Sequence, residues 1–547
     1  MLGTAVVLPV PATAARNPAS DNPALTYVHA RAAAMSGEHG RSAELLAALA
    51  DANSADLKIS RRALSEALAA GNVELALRLG RRLPLTELPV DGRLLLAADE
   101  LRRNRPEVAL RYISEGGKEE SNLQFIEPLI QAWAAAERRD LDGASTIIDQ
   151  IPVGGLLSPY RFENKAFMLL KFRRAADAEP FARRAIGMAG SRDFRLRLAL
   201  ADGFLAAGDR PRAMAMVEGL GAEAGSAGQR IAAGKRNGMA IDHPAKAYGA
   251  LLLAMAADLS RMNIRSLPIG MVQVARYANP HNSGAAVLLA TLLSRQERPG
   301  EALRVLDQVP AGDPLAAEAR DAKARILVDE ERYDEALRLA FAAVATNDAA
   351  VGDHARLGDV LAGAKRYNEA ADAYARAIAM ASAQGLKDEL WPLNLLRATA
   401  LEDANRWPEA KTALHTALAL APEQPLILNF LGYAMLERGE QLDLAEAVIR
   451  KASKLAPDEA SITDSLGWAL YKRGRLPEAI ETLQRAAASD PQQYEIHEHL
   501  GDALYASGRR YEARFAWRAA LLSAEEDVAP RIRVKIDTGL TPATAAP

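Results

Sequence analysis

The sequence predicts an all-α fold, an α-solenoid of about fourteen helical hairpins. Three observations carry that prediction: a small residue at a nearly fixed interval, two helical apolar patterns within each interval, and a core-forming composition poor in aromatics. The recurring positions are Ala43, Ala76, Ala109, Ala144, Ala178 and Ala213, then Pro268, Ala302, Ala336, Ala370, Ala410, Ala445, Ala479 and Ala513. Their steps are 33, 33, 35, 34, 35, 55, 34, 34, 34, 40, 35, 34 and 34 residues, eleven of thirteen within one residue of 34. A fixed period of that length marks stacked supersecondary units. Hydrophobic residues make up 49% of the 547-residue chain but aromatics only 5%, so Ala and Leu must form the helix contacts. No sustained Val/Ile/Thr alternation occurs, which argues against sheet.

Within the period, ASITDSLGWALYKRGRLPEAIETLQRAAASDP (460–491) and YEIHEHLGDALYASGRRYEARFAWRAALLSAE (494–525) align residue for residue. Leu466-Gly467 matches Leu500-Gly501, Leu470 matches Leu504, Gly474 matches Gly508, Ala479 matches Ala513, Leu483 matches Trp517 and Ala486 matches Ala520. Apolar residues three and four apart predict two amphipathic helices per unit. Gly474 and Gly508 fall where a tight turn needs positive φ. Gly467, Ala479 and Ala486 let two backbones approach closely, and Pro491 ends the second helix.

Along the chain, residues 1–20 come first. Leu2 to Ala15, LGTAVVLPVPATAA, is uncharged and apolar, and Ala12-Thr13-Ala14 has the A-x-A form of an export cleavage site, yet no Lys or Arg precedes Arg16. The segment reads as the remnant of an export signal, with the true start upstream of Met1, or as a flexible leader. The first reading implies a periplasmic or exported protein, the second a cytoplasmic one. A degenerate sub-array follows over 24–220, in phase but looser. The Gly-rich stretch 221–243 carries the 21-residue excess of the longest step and reads as a linker or loop. A second sub-array covers 244–525, with ASAQGLKDEL (381–390) as a longer inter-repeat loop. A cap and a disordered tail are expected over 526–547. A solenoid of this length needs no separate globular domains, because each unit buries its apolar face against its neighbours.

Composition and motifs exclude several classes. Net charge is −3 with acids and bases interspersed, and no basic cluster interleaved with aromatics suggests nucleic acid. No other stretch reaches the ~18 apolar residues of a membrane span. There is no cysteine, hence no disulfide or thiolate site. His497-Glu498-His499 places two histidines about 200° apart on a helix, which is poor metal spacing. Asp329-Glu330-Glu331 falls in an inter-helix turn. Phosphate-loop, dinucleotide and zinc-protease motifs are absent. The expectation is a chain without cofactor, metal or catalytic role.

In spacing and residue types the two aligned units resemble the tetratricopeptide repeat, most closely over 285–525. NFLGYAM (429–435), TDSLGWALYKRG (463–474) and HEHLGDALYASGRRYEARFAWRAAL (497–521) are similar to the multi-repeat tetratricopeptide proteins of Gram-negative bacteria. The resemblance implies a right-handed superhelix whose first helices line a groove that binds a protein or peptide. Members of that group are mostly regarded as scaffolds for envelope or other assembly. The alternative is a cytoplasmic regulatory or substrate-recruiting subunit of an enzyme complex. On the family's template the groove residues are Asn429, Phe430 and Tyr433, then Asp464, Trp468 and Tyr471, then Glu498, His499, Asp502 and Tyr505. Aromatics beside carboxylates and amides suit a partner segment with basic and apolar side chains. Tyr433 and Trp468 either face such a partner or pack on the neighbouring repeat. Co-chaperones of this family that hold a C-terminal carboxylate use Lys, Asn and Arg on this face. Asp464, Glu498 and Asp502 would repel that ligand.

Overall fold

The computed structural model describes residues 22–115, 123–218, 220, 225–261, 267–346 and 349–546. Among them are thirty α-helices and no strand, with helix accounting for 76%. The fold is an all-α solenoid, as the period predicts. The chain forms two compact units that divide between Arg332 and Tyr333. The leader 1–20 and its export reading lie outside the described residues.

The first unit starts with six hairpins. They are α1 (Pro23–Met35) with α2 (His39–Ala52), α3 (Leu57–Ala69) with α4 (Val73–Gly80), and α5 (Val90–Arg102) with α6 (Pro106–Ser114). Next come α7 (Glu127–Glu137) with α8 (Leu141–Asp149), α9 (Arg161–Lys171) with α10 (Ala175–Gly187), and α11 (Asp193–Ala207) with α12 (Arg210–Val217). A short α13 (Gly225–Ala232) precedes the hairpin of α14 (Pro244–Arg261) and α15 (Leu267–Ala278). Finally α16 (Ser283–Ser294) pairs with α17 (Pro299–Leu306), and α18 (Ala316–Asp329) ends the unit.

The second unit opens on α19 (Tyr333–Val344). Its hairpins are α20 (Val351–Gly363) with α21 (Tyr367–Ala383), α22 (Lys387–Asp403) with α23 (Trp407–Leu420), and α24 (Pro425–Glu437) with α25 (Leu442–Leu455). Two more follow, α26 (Ala460–Lys472) with α27 (Leu476–Ser489) and α28 (Tyr494–Ala506) with α29 (Arg510–Ser523), and then α30 (Ala529–Thr538).

The recurring alanine is the fourth residue of a second helix in nearly every hairpin, as with Ala109 in α6, Ala302 in α17 and Ala479 in α27. All thirteen recurring alanines are at most 1% exposed, and Pro268 in α15 is buried too. The close approach they permit is visible from the partner helix. A Cβ added to Gly432 would sit 3.0 Å from the Ala445 carbonyl, and one on Gly467 would sit 2.6 Å from Leu483 Cγ. In most hairpins the residue two before the second helix adopts positive φ, 72° at Gly474 and 86° at Gly508. Lys365 (58°) and Asn405 (59°) take the same conformation. The turn geometry therefore outlives the glycine, although a side chain there costs about 1–2 kcal/mol.

Two segments differ from the sequence reading. The six surplus residues around 381–390 are not a loop: α21 and α22 are each lengthened to 17 residues, and Gly385 (φ 72°) makes the turn. Ala381 and Leu393 bury against Val351 there, so extending the helices adds core. The tail is not disordered either. Gly539 to Ala546 runs back over the last hairpin, where the Ala546 N–H donates to Asp502 Oδ2 at 2.9 Å. Within 221–243, the backbone N–H groups of Asn237 and Met239 donate to buried Asp202 at 2.7 and 2.6 Å.

Candidate partner groove

The candidate residues lie on the first helices α24, α26 and α28 of the second unit. In α24, Phe430 and Tyr433 are half-buried. With Trp391 and Leu395 of α22 and Tyr471 of α26 they rim one core cluster that includes Leu431, Leu466 and Trp468. Leu396 and Leu426, on the same two helices, are 39% and 55% exposed. The Asn429 Oδ1 is buried and accepts no hydrogen bond. Burial pushes the Tyr433 hydroxyl well above its ordinary value, helped by the negative charge of Glu437, Asp464 and Glu495. This stretch of the face is thus apolar, acidic at its margin and open.

The next stretch is closed. Trp468 is fully buried, its Nε1–H donating to Glu437 Oε1 at 3.0 Å. It lies in a stack between Tyr471 and His499, with ring centroids 4.6 and 4.1 Å away. Asp464 is buried opposite His499, whose Nδ1 is 3.0 and 2.9 Å from the two carboxylate oxygens. Burial works against a charged imidazole. Asp464, with Asp502 and Glu498 beyond it, overcomes that cost and holds the His499 pKa above its ordinary value.

The last stretch is covered by the chain itself. Glu498 accepts from Arg531 Nε and Nη2 at 3.1 and 2.8 Å and from Lys535 Nζ at 2.6 Å. Asp502 accepts from Lys535 at 2.8 Å on both oxygens and from Trp517 Nε1 at 2.9 Å. Tyr505 is half-buried, 5.5 Å from the Trp517 ring.

This geometry corrects the reading of four candidates and, for Trp468, selects one of the two alternatives. Trp468 packs on the neighbouring repeat, and Asp464, Glu498, His499 and Asp502 satisfy groups of this chain. The sequence reading missed Arg531 and Lys535. Their signal was present: two cations four residues apart at 531 and 535 match two carboxylates four residues apart at 498 and 502.

In the first unit the equivalent face is also filled. Both α14 and α15 pack on α5, with α14 reaching α7 and α15 reaching α3. Tyr248 is fully buried and its hydroxyl donates to the Leu94 carbonyl at 3.3 Å. The Tyr277 hydroxyl donates to Asp99 Oδ1 at 2.7 Å, and Arg81 also binds that carboxylate. Although burial disfavours the charged form, these bonds hold Asp99 below the usual carboxylate range. A cavity of about 110 Å³ between α9, α11, α14 and α16 is lined by Glu163, Arg192, Met239, Leu253 and Asp313. Its polar walls are already paired, Arg192 with Glu163 at 2.7 Å and Ser283 with Asp313 at 2.6 Å. Among the described residues no cluster of His, Asp or Glu could hold a metal ion, and no helix is long and apolar enough to cross a membrane.

Comparison with known proteins agrees with the repeat. The profile described as tetratricopeptide repeat matches residues 287–352 and 395–460, and one described as TPR repeat matches 467–508. No curated protein sequence matches the chain significantly. Among solved structures, the APC/C hetero-tetramer Cut9–Hcn1 aligns over 95% of this chain and 97% of its own, at 14% identity and a TM-score of 0.37. YrrB, a TPR protein described as having an unusual peptide-binding site, aligns over 33% and 90%, at 17% identity and 0.26. MamA from Desulfovibrio magneticus RS-1 aligns over 32% and 94%, at 20% identity and 0.27. Structural matches of that strength carry no argument about function.

Proposed function

The chain is a tetratricopeptide-repeat protein, and from that premise we propose that it recruits a partner protein through the α22–α26 face of its second unit. Repeats of this kind serve as protein-interaction scaffolds. The observation that carries the reading is the open apolar rim of Trp391, Leu395, Phe430 and Tyr433 beside an Asn429 carbonyl oxygen with no partner. A buried acceptor left unpaired costs about 1–3 kcal/mol, which a ligand N–H would recover. The rim suits an extended or helical peptide with aliphatic side chains, and the acidic margin at Glu437 and Glu495 favours a neighbouring Lys or Arg. The role is non-catalytic. Assembly in the cell envelope is the finer reading, resting on the apolar, A-x-A-ended segment 2–15.

Affinity capture from the source cells with mass spectrometry tests the site. Truncating a central aromatic anchor typically costs about 2 kcal/mol or more of binding. Phe430→Ala and Tyr433→Ala should therefore deplete the captured partner while circular dichroism stays parental. Full capture by both folded variants would move the site elsewhere. Cell fractionation tests the envelope reading, which a purely cytoplasmic protein would contradict.

A further inference from the structure

The last hairpin holds a ligand of its own. Lys535 is 0% exposed and bridges Glu498 and Asp502, while Arg531, one turn earlier, binds Glu498 again. Between them Ile532 is fully buried against Trp517 and Leu504 in the same cluster. Of the other α30 side chains, Ala529 is buried and Ile536 is half-buried against the same cluster, while Arg533, Val534, Asp537 and Thr538 are exposed. Two cations on two carboxylates, with a short apolar strip of Ile532 and Ile536, make the chemistry of a recognised amphipathic peptide.

Three properties make the contact reversible. A helix of ten residues is marginal alone in water, so α30 is helical only while docked. Taking Lys535 out of water costs roughly what its carboxylates return. Undocking leaves no charge stranded, because Glu498 and Asp502 are then uncovered and Asp502 keeps its bond from Trp517. We propose that the α28 face beneath α30 is a latent recognition site for a basic amphipathic helix of a partner protein, and that residues 529–546 occupy it until that helix arrives. The partner helix carries two Lys or Arg one turn apart with an aliphatic residue between them. This site is separate from the α22–α26 rim, so either can fail alone.

The probe is a fluorescent peptide copying residues 527–546, added to the full chain. A site occupied most of the time binds external ligand more weakly in proportion to its free fraction. Arg531→Gln with Lys535→Gln in the full chain should therefore raise peptide affinity about tenfold or more over the parent. Adding Asp502→Asn should abolish the gain, and salt should weaken it. Equal affinity for parent and folded double variant overturns the proposal. Should the double variant not fold, the parent decides. Trypsin can reach the bond after fully buried Lys535 only when α30 is undocked. Release of the tail from an array of parental helix content supports the site, whereas cleavage only after the array itself unfolds overturns it.

Discussion

In the first unit a whole hairpin covers the first helices α3, α5 and α7, whereas in the second unit a single ten-residue helix covers only the last hairpin. The covering surfaces differ in kind. α14 and α15 bury Tyr248, Leu251, Leu252, Ile269 and Val272 at no more than 2% exposure, so the cover is part of a hydrophobic core. α30 buries Ala529, Ile532 and Lys535, rests Ile536 half-buried on the same cluster, and adds ion pairs to that small apolar contact. Apolar burial of the first kind stabilises by about 25 cal/mol per Å². Buried ion pairs come close to breaking even. A groove filled by core is structure, and a groove filled by charge remains exchangeable.

That contrast can be broken by mutation. The largest effect should come from Trp468→Ala, which leaves a void and removes the indole donor to Glu437, at a cost of about 3–5 kcal/mol for an aromatic deletion. A fragmenting melt, or loss of soluble protein, is the expected outcome; a parental melt would return Trp468 to the partner groove. Next, Leu252→Ala in α14 should cost about 2–5 kcal/mol. Ile532→Ala in α30 should lower the melting temperature much less, because docking of α30 is local. Comparable losses from the two would erase the distinction between the covers. Ala479→Leu forces α26 and α27 apart and should cost about 1–3 kcal/mol with helix content retained. An unchanged melt there would mean the repeat register is wrong.

The smallest effect is in pH dependence. The folded His499 pKa lies above the ordinary value of about 6.5. Its pair with Asp464 therefore contributes fully below about pH 6.5 and is lost as pH rises through the folded value. Denaturant midpoints should fall across that window in the parent and lose this component in His499→Gln. An identical pH profile would place no proton on the buried imidazole.

The helices and their register were legible in the sequence because a backbone contact admits only a small side chain, and it recurs with the repeat. The positive-φ turns were legible at Gly474 and Gly508 but not at Lys365, where the geometry is kept without glycine. The fate of the charged candidates was hidden. Glu498 meets Arg531 and Lys535 at separations of 33 and 37 residues, where the sequence after the last repeat no longer follows the pattern. Asn429 was picked by position, but its missing partner could be seen only with every neighbour in place. The destination of α14 and α15 was equally out of reach, since a period specifies adjacent units and Tyr248 reaches back 154 residues to Leu94.

Hydrogen exchange on the intact protein tests the contrast most directly, because it reads local opening in both units at once. Amides of α14 and α15 should be as protected as those of α5 and α7, while those of 529–538 should exchange well before α26 and α28. Protection of α30 equal to that of α28, or opening of α14 and α15 as early as α30, would contradict the account.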